Sequence, residues 1–181
     1  MIKNALVVYS TWTGSTKEIA EFIAKVFLDQ SIPTDVISAE EHTNLEKYDL
    51  VIAGTSIHAT RTVSSFRKFL KLHLNQLSQK KVAYFVSCAN MINDTDESRN
   101  ETLDWFNKAI TPFGTIQPLS VGLFGGATVT SGEKFQKLNI FTKRIILAME
   151  KNMLSEYGKT DFRDWEKIRL WASALIASLN N

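Results

Sequence analysis

The amino-acid sequence predicts an α/β protein with a doubly wound parallel sheet of five strands, in the order 2-1-3-4-5, between two layers of helices. Short apolar runs rich in Val, Ile and Phe alternate with longer segments of helical periodicity. The chain has 181 residues, of which 44% are hydrophobic, as expected for one domain over residues 1–181. Because crossovers between parallel strands are right-handed, this strand order is the simplest arrangement.

The individual elements follow from the same pattern. Strands are expected at residues 5–10, 34–38, 50–55, 81–87 and 120–124. Helices are expected at about residues 17–28, 64–77, 101–111, 135–153 and 164–179, and Pro33 and Pro112 lie where the preceding helices should have ended. An insertion of about 40 residues, at 125–164, separates the fifth strand from the last helix.

Composition excludes several classes of protein. The 21 Lys and Arg against 19 Asp and Glu leave a net charge of +2, too small for a nucleic-acid-binding protein. We expect a cytoplasmic protein, because no apolar run is long enough to span a membrane and the first residues do not resemble a signal peptide. The single cysteine, Cys88, excludes an intrachain disulfide and a Cys-clustered metal site, so no metal is expected.

The loop after the first strand is rich in hydroxyl groups and leads directly into a helix. Parallel sheets of this kind bind ligands at the carboxyl ends of their strands. Free N–H groups at a helix start attract anions, hydroxyls add donors, and a glycine allows close approach. The sequence therefore predicts a phosphate-monoester site; the alternative is an ordinary capped helix. The residues concerned are Thr11, Trp12, Thr13, Gly14, Ser15 and Thr16. Neither the Walker motif nor G-x-G-x-x-G is present, which argues against nucleoside triphosphates and NAD.

The stretch YSTWTGSTKEIAEFIA resembles the phosphate loop of flavodoxins, in which T-x-T-G-x-T holds the phosphate of FMN. Thr11, Thr13, Gly14 and Thr16 match this motif, and Ser15 stands where many flavodoxins have Asn. The resemblance extends over the whole chain as an order of strands and helices. It implies a flavodoxin-like fold, non-covalently bound FMN and electron transfer.

The same resemblance assigns two further loops to the flavin ring. After the third strand, Ser56, Ile57 and His58 are expected against one side of the ring, with His58 where flavodoxins often have a stacking aromatic residue; the alternative is a solvated histidine. After the fourth strand, the expected contacts with the polar edge of the ring are Ser87, Cys88, Ala89 and Asn90. A phosphatase motif C-x5-R would need Arg at position 94, which is Asp, so Cys88 is interpreted as a structural thiol.

Acidic residues follow the fourth strand. Asp94, Asp96 and Glu97 are interpreted as a solvated cluster that leads into the next helix.

The insertion helix has two apolar faces. One arc is expected to face protein and contains Phe135, Leu138, Phe141, Ile145, Ile146, Met149 and Met153. The second stripe contains Ile140, Leu147 and Leu154, flanked by Lys137, Lys143, Arg144 and Lys151. A basic amphipathic helix at about 135–154 suits an anionic membrane surface, a partner helix or self-association; burial on both sides remains an alternative.

The long insertion and the Asp-Trp pair that enters the last helix, Asp164 and Trp165, are similar to the menaquinone-dependent protoporphyrinogen dehydrogenase branch of the flavodoxin superfamily. The loop after the third strand lacks the tyrosines common in that branch. The resemblance implies an FMN-dependent enzyme that oxidises a porphyrinogen and passes electrons to a quinone. Two alternatives remain: an electron carrier of the flavodoxin type that meets a redox protein, and a binding module that has lost its flavin. Such carriers are usually strongly acidic, whereas this chain carries +2.

Overall fold

The computed structural model describes residues 2–130 and 133–179, with six strands and seven helices in these ranges. The strands are β1 (Ala5–Ser10), β2 (Thr34–Ser38), β3 (Leu50–His58), β4 (Arg61–Thr62), β5 (Lys81–Cys88) and β6 (Pro118–Gly125). The helices are α1 (Ser15–Asp29), α2 (Ser64–Leu72), α3 (Leu74–Leu77), α4 (Asp96–Ile110), α5 (Glu133–Gln136), α6 (Ile140–Tyr157) and α7 (Trp165–Leu179). Short 3-10 turns lie at Ala89–Ile92 and Thr111–Phe113.

The sheet confirms the predicted order. Its strands run β2-β1-β3-β5-β6, all neighbours are parallel, and the order is 2-1-3-4-5 when the short β4 is left out. The central strands β1, β3 and β5 are buried almost throughout, as expected when helices cover both faces. One apolar cluster lies between the sheet and α1 and α7, and the other between the sheet and α2 and α4.

The segment after the third strand differs from the prediction. β3 continues to His58 and turns back through Ala59 and Thr60 into the antiparallel β4, so Ser56, Ile57 and His58 belong to a strand and not to a loop. Both turn residues have positive φ values, 45° and 64°. Such φ values suit a tight hairpin turn, in which Gly or Asn is normally found. Neither residue type is present here, so the turn was not predictable from the sequence.

Three predicted helices have different bounds. The helix predicted at 64–77 is interrupted at His73, and the one predicted at 135–153 is interrupted by Asn139, whose Oδ1 accepts a hydrogen bond of 2.9 Å from the Thr142 N–H and so caps α6. α4 begins five residues earlier than predicted, because Thr95 and Ser98 form a capping box.

The acidic cluster is only partly solvated. Asp96 and Glu97 lie exposed in the first turn of α4, but Asp94 forms ion pairs with Arg99 and Lys167. These cations, led by the hydrogen bond from Arg99, lower the pKa of the Asp94 carboxyl. Asp94 thereby connects α4 to α7, which the sequence did not indicate.

The two ends of the insertion are joined to each other just after β6. The Phe162 N–H donates to the Gly126 carbonyl at 3.0 Å, and the Thr128 N–H donates to the Thr160 carbonyl at 3.0 Å. Between these ends, α6 passes over the carboxyl edge of the sheet. Of its 18 residues only Ile146 is buried.

The arc that was expected to face protein is therefore split. Ile146 is buried, and Met149 and Met153 are partly buried, but Phe141 and Ile145 are 75% and 56% exposed. The prediction was wrong for these two residues, because the inward face of α6 is narrower than its apolar arc. The second stripe, Ile140, Leu147 and Leu154, is also exposed, which rules out burial of the helix on two sides.

Candidate functional site

A cleft opens where β1, β3 and β5 end at the same edge of the sheet. Nine of the residues predicted from the sequence line it: Trp12, Thr13, Ser15, Ser56, Ile57, His58, Ser87, Cys88 and Ala89. Parallel strands bring these segments together because their carboxyl ends lie side by side. The cleft is narrow, with a volume of about 50 Å³.

The start of α1 is open to a ligand. Gly14, with φ 121°, precedes the helix, and no side chain caps it; Thr11 Oγ1 instead accepts a hydrogen bond of 2.9 Å from the Gly14 N–H. Within the described residues, the N–H groups of Thr13, Ser15 and Thr16 have no hydrogen-bond partner. The capped-helix alternative is therefore wrong. The free N–H groups and the helix dipole form an anion-binding geometry.

The four hydroxyl groups of this loop have different environments. Thr13 and Ser15 line the cleft, and their hydroxyls have no partner among the described residues. Thr11 holds the loop closed through Gly14, as described above. Thr16 is fully buried, and its Oγ1 lies 2.9 Å from Oγ of Ser87 on β5. Thr13 and Ser15 thus offer donors to a ligand, whereas Thr11 and Thr16 shape the site.

His58 forms a wall of the cleft with Trp12. The two rings lie 4.3 Å apart, centroid to centroid, at 56°, and Nε2 of His58 is 3.2 Å from Ser56 Oγ. Burial lowers the pKa of His58 from its usual 6.5 to about 4, so the imidazole is neutral at pH 7. The alternative of a solvated histidine is wrong. The pair of rings gives the cleft a flat, uncharged side.

Of the four contacts predicted around the end of β5, Ser87, Cys88 and Ala89 line the cleft and Asn90 does not. Cys88 is 6% exposed, and burial raises the pKa of its thiol, which is therefore protonated at neutral pH. Asn90 does not line the cleft: its Nδ2 donates hydrogen bonds of 3.1 Å to the carbonyl of Ser98 and to Glu101 Oε2 on α4. Its amide group fastens α4 to the sheet edge.

The insertion supplies the opposite wall, which sequence reasoning did not assign to the site. Its lining residues are Gly126, Ala127, Thr128, Ile146, Met149, Met153 and Phe162. Thr128 Oγ1 donates to Sδ of Met153 at 3.2 Å, which ties α6 to the segment after β6. The apolar spacing of Ile146, Met149 and Met153 was visible in the sequence. The sequence did not show that these three side chains lie over the cleft.

Comparison with known proteins assigns the family. A family model described as a flavodoxin domain matches residues 6–162 of this chain. The chain therefore belongs to the flavodoxin domain family, as the fold and the hydroxyl-rich loop indicate.

Within the family, the chain is similar to proteins named protoporphyrinogen IX dehydrogenase [quinone]. It is 24% identical to the one from Escherichia coli (strain K12) over 171 residues, which cover 93% of this chain and 92% of that one. It is 26% identical to the one from Leishmania major over 180 residues, covering 96% of this chain and 75% of that one.

Solved structures show the same fold. A flavodoxin from the domain Archaea superposes with a TM-score of 0.51 and 18% identity, covering 82% of this chain and 97% of that one. A flavoprotein in complex with FMN from Lactobacillus acidophilus NCFM superposes with a TM-score of 0.50 and 16% identity, covering 68% of this chain and 93% of that one. No helix in the described residues is long and apolar enough to cross a membrane.

Proposed function

We propose that this protein binds FMN in the cleft and works as an oxidoreductase that oxidises protoporphyrinogen and reduces a quinone. The single observation that carries the proposal is the open start of α1, where unpartnered N–H groups and the hydroxyls of Thr13 and Ser15 converge beside a narrow apolar cleft. This donor set suits a phosphate monoester that continues into a flat ring. The names of the relatives support the substrate and the acceptor.

The residues of this chain have distinct roles in the proposal. The start of α1 would hold the phosphate, and Trp12 and His58 on one side of the cleft, with Met149 and Met153 of α6, would hold the ring. Unbranched methionine side chains adapt to the shape of an aromatic ring. Bound FMN supplies the electron-transfer chemistry. Six hydrogens leave the porphyrinogen as it becomes the porphyrin, and three quinones each take up two of them and become quinols.

The protein groups around the cleft exclude water and charge. His58 is neutral, and the Cys88 thiol is protonated, so neither adds a charge next to the ring. We assign no general acid or base to these residues. Their role is to hold the ring in an apolar, uncharged site, which sets its redox potential.

In this proposal α6 also supplies contact with an anionic lipid surface, where the quinone is found. Its outer face carries exposed Ile140, Leu147 and Leu154 together with exposed Arg144 and Lys151. Apolar side chains flanked by cations are typical of helices that lie in a bilayer interface. Since the inner face of the same helix covers the cleft, lipid contact would place the cleft beside the bilayer.

The first experiment is a titration with FMN, followed by the visible spectrum of the flavin. We expect stoichiometric binding, and binding at least about tenfold weaker in Thr13→Val, because a hydroxyl donor to a phosphate is lost. Thr115→Val is the matched control, since Thr115 is exposed and outside the cleft. If the protein does not bind FMN, the proposal is contradicted and the alternative of a binding module without flavin is favoured.

The second experiment tests the substrate. Anaerobic incubation of the FMN-loaded protein with protoporphyrinogen and a menaquinone is expected to form porphyrin, read by its fluorescence, together with quinol. If the protein binds FMN but forms no porphyrin, the proposed flavin site stands and the protein is better described as an electron carrier than as this enzyme.

A further inference from the structure

A groove between α2 and the end of α4 is lined by four cations and by no acidic residue. Its lining residues are Ser64, Arg67, Lys68 and Lys71 of α2, Lys108 and Ala109 of α4, and Pro112 and Phe113. The groove has a volume of about 330 Å³. It lies outside the cleft described above and shares no residue with it.

The cations of this basic groove have no counter-charge. Arg67, Lys68, Lys71 and Lys108 are all exposed, and none forms an ion pair or a side-chain hydrogen bond within the described residues. Other exposed cations do find carboxylates: Lys17 pairs with Glu21 at 3.1 Å. From position 50 to position 93 the sequence contains no Asp or Glu at all.

The fold itself gains nothing from this arrangement. Arg67 and Lys71 stand four residues apart on α2, and Lys68 and Lys71 three apart, so like charges are neighbours on one helix face. Each such pair of like charges destabilises a helix slightly. An anionic partner would remove this repulsion.

We propose that the basic groove docks an acidic segment of a partner protein. The α2 cations follow one another over roughly 6 Å of helix axis, from Arg67 to Lys71, and Lys108 faces them from α4, which matches a row of carboxylates better than a single phosphate. The surface is concave and is also lined by Pro112 and Phe113, so it suits an inserted chain and not a flat bilayer. The net charge of +2 disfavours nucleic acid.

The first turn of α2 connects one end of the groove to the strands that form the cleft. Ser65 Oγ, in the first turn of α2, donates to Ser10 Oγ at 3.2 Å, and the Val63 N–H donates to Thr55 Oγ1 at 3.3 Å. Ser10 ends β1, and Thr55 precedes the β3 residues that line the cleft. The Ser64 end of the groove is therefore the end nearer to the proposed flavin site. The docking itself does not depend on flavin.

The test uses a fluorescent poly-glutamate peptide of about 12 residues, long enough to span the groove. Anisotropy titrations at low salt compare the wild type with R67Q/K71Q and with K25Q/K81Q, which removes the same charge from two exposed lysines outside the groove. We expect binding to be at least about tenfold weaker in the groove variant and nearly unchanged in the control. Added salt should weaken wild-type binding.

Three results would overturn the inference. If both variants bind the peptide equally weakly, binding depends on the overall charge and not on the groove. If the wild type does not bind the peptide, the groove is not a docking site for acidic segments. Tighter, groove-dependent binding of phosphatidylglycerol vesicles or of single-stranded DNA would replace the protein partner by another class. Thermal unfolding of both variants verifies the fold, and the FMN titration is a separate readout, so failure of the flavin site is distinguishable.

Discussion

Two neighbouring helices, α6 and α7, look alike in the sequence and behave differently in the structure. Each is amphipathic and each follows β6. In α7, the residues Ile168, Ala172, Leu175, Ile176 and Leu179 are buried against the sheet and α1. In α6 only Ile146 is buried, while five large hydrophobic residues are about half exposed or more.

The difference shows that an apolar face is not by itself a core face. α7 stabilises the fold, since burial of apolar surface is the main source of folding free energy. α6 covers the cleft with one narrow face and leaves the rest of its apolar surface on the outside. Exposed apolar surface of this kind usually marks an interaction site. We therefore expect mutations in α7 to affect stability and mutations in α6 to affect binding.

The largest expected effect is on the free energy of unfolding. Leu175→Ala in α7 should lower it by about 2–5 kcal/mol, because the side chain is 2% exposed and its removal leaves a cavity. Leu147→Ala in α6, at 47% exposure, should change it by less than about 0.5 kcal/mol. Guanidinium unfolding followed by circular dichroism measures both. Similar losses would mean that α6 belongs to the core after all.

The second largest expected effect is the pH dependence of stability that arises from His58, which lies in the cleft covered by α6. The pKa of His58 is about 4 in the folded protein, against 6.5 normally. Between these pH values the unfolded chain binds more protons, so this contribution to stability is complete above pH 6.5 and is lost as the pH falls towards 4. The expected loss is up to about 3 kcal/mol.

Shortening the α6 side chains that cover the cleft should raise the pKa of His58. Met149→Ala with Met153→Ala exposes the cleft that His58 lines, and NMR titration should then give a His58 pKa closer to 6.5. Leu170→Ala, at an exposed position of α7, is the control. An unchanged pKa in the methionine variant would show that α6 does not shield the cleft.

The smallest effect concerns lipid binding. Co-sedimentation with phosphatidylglycerol vesicles should retain the wild type, and Ile140→Asp with Leu147→Asp should weaken binding at least about tenfold, or 1.4 kcal/mol. Leu72→Asp with Leu170→Asp adds the same charge at exposed positions on α2 and α7. Equal binding by the α6 variant and the wild type would remove α6 from the lipid contact. If the wild type is a dimer in solution and the α6 variant is a monomer, α6 is a self-association surface instead.

Much of the fold was predictable because the local sequence patterns agree with the positions of the residues in the folded protein. β1 has the predicted bounds, since a buried parallel strand is a continuous apolar run. β2 also has the predicted bounds, although it is a partly exposed strand at the edge of the sheet. The phosphate loop was recognisable because its hydroxyls and Gly14 are consecutive in the chain. The β3–β4 hairpin was missed because Ala59 and Thr60 adopt positive φ values that neither residue type signals.

The sequence by itself determined the start of α1 and the positions of the three cleft segments, because each depends on residues close together in the chain. It also predicted the order of the strands, because the right-handed crossover rule leaves few arrangements. Only the tertiary structure decided that Asn90 serves α4, that Met149 and Met153 cover the cleft, and that Phe141 faces outward. The direction in which an amphipathic helix packs depends on contacts distant in sequence, and these have no local signature.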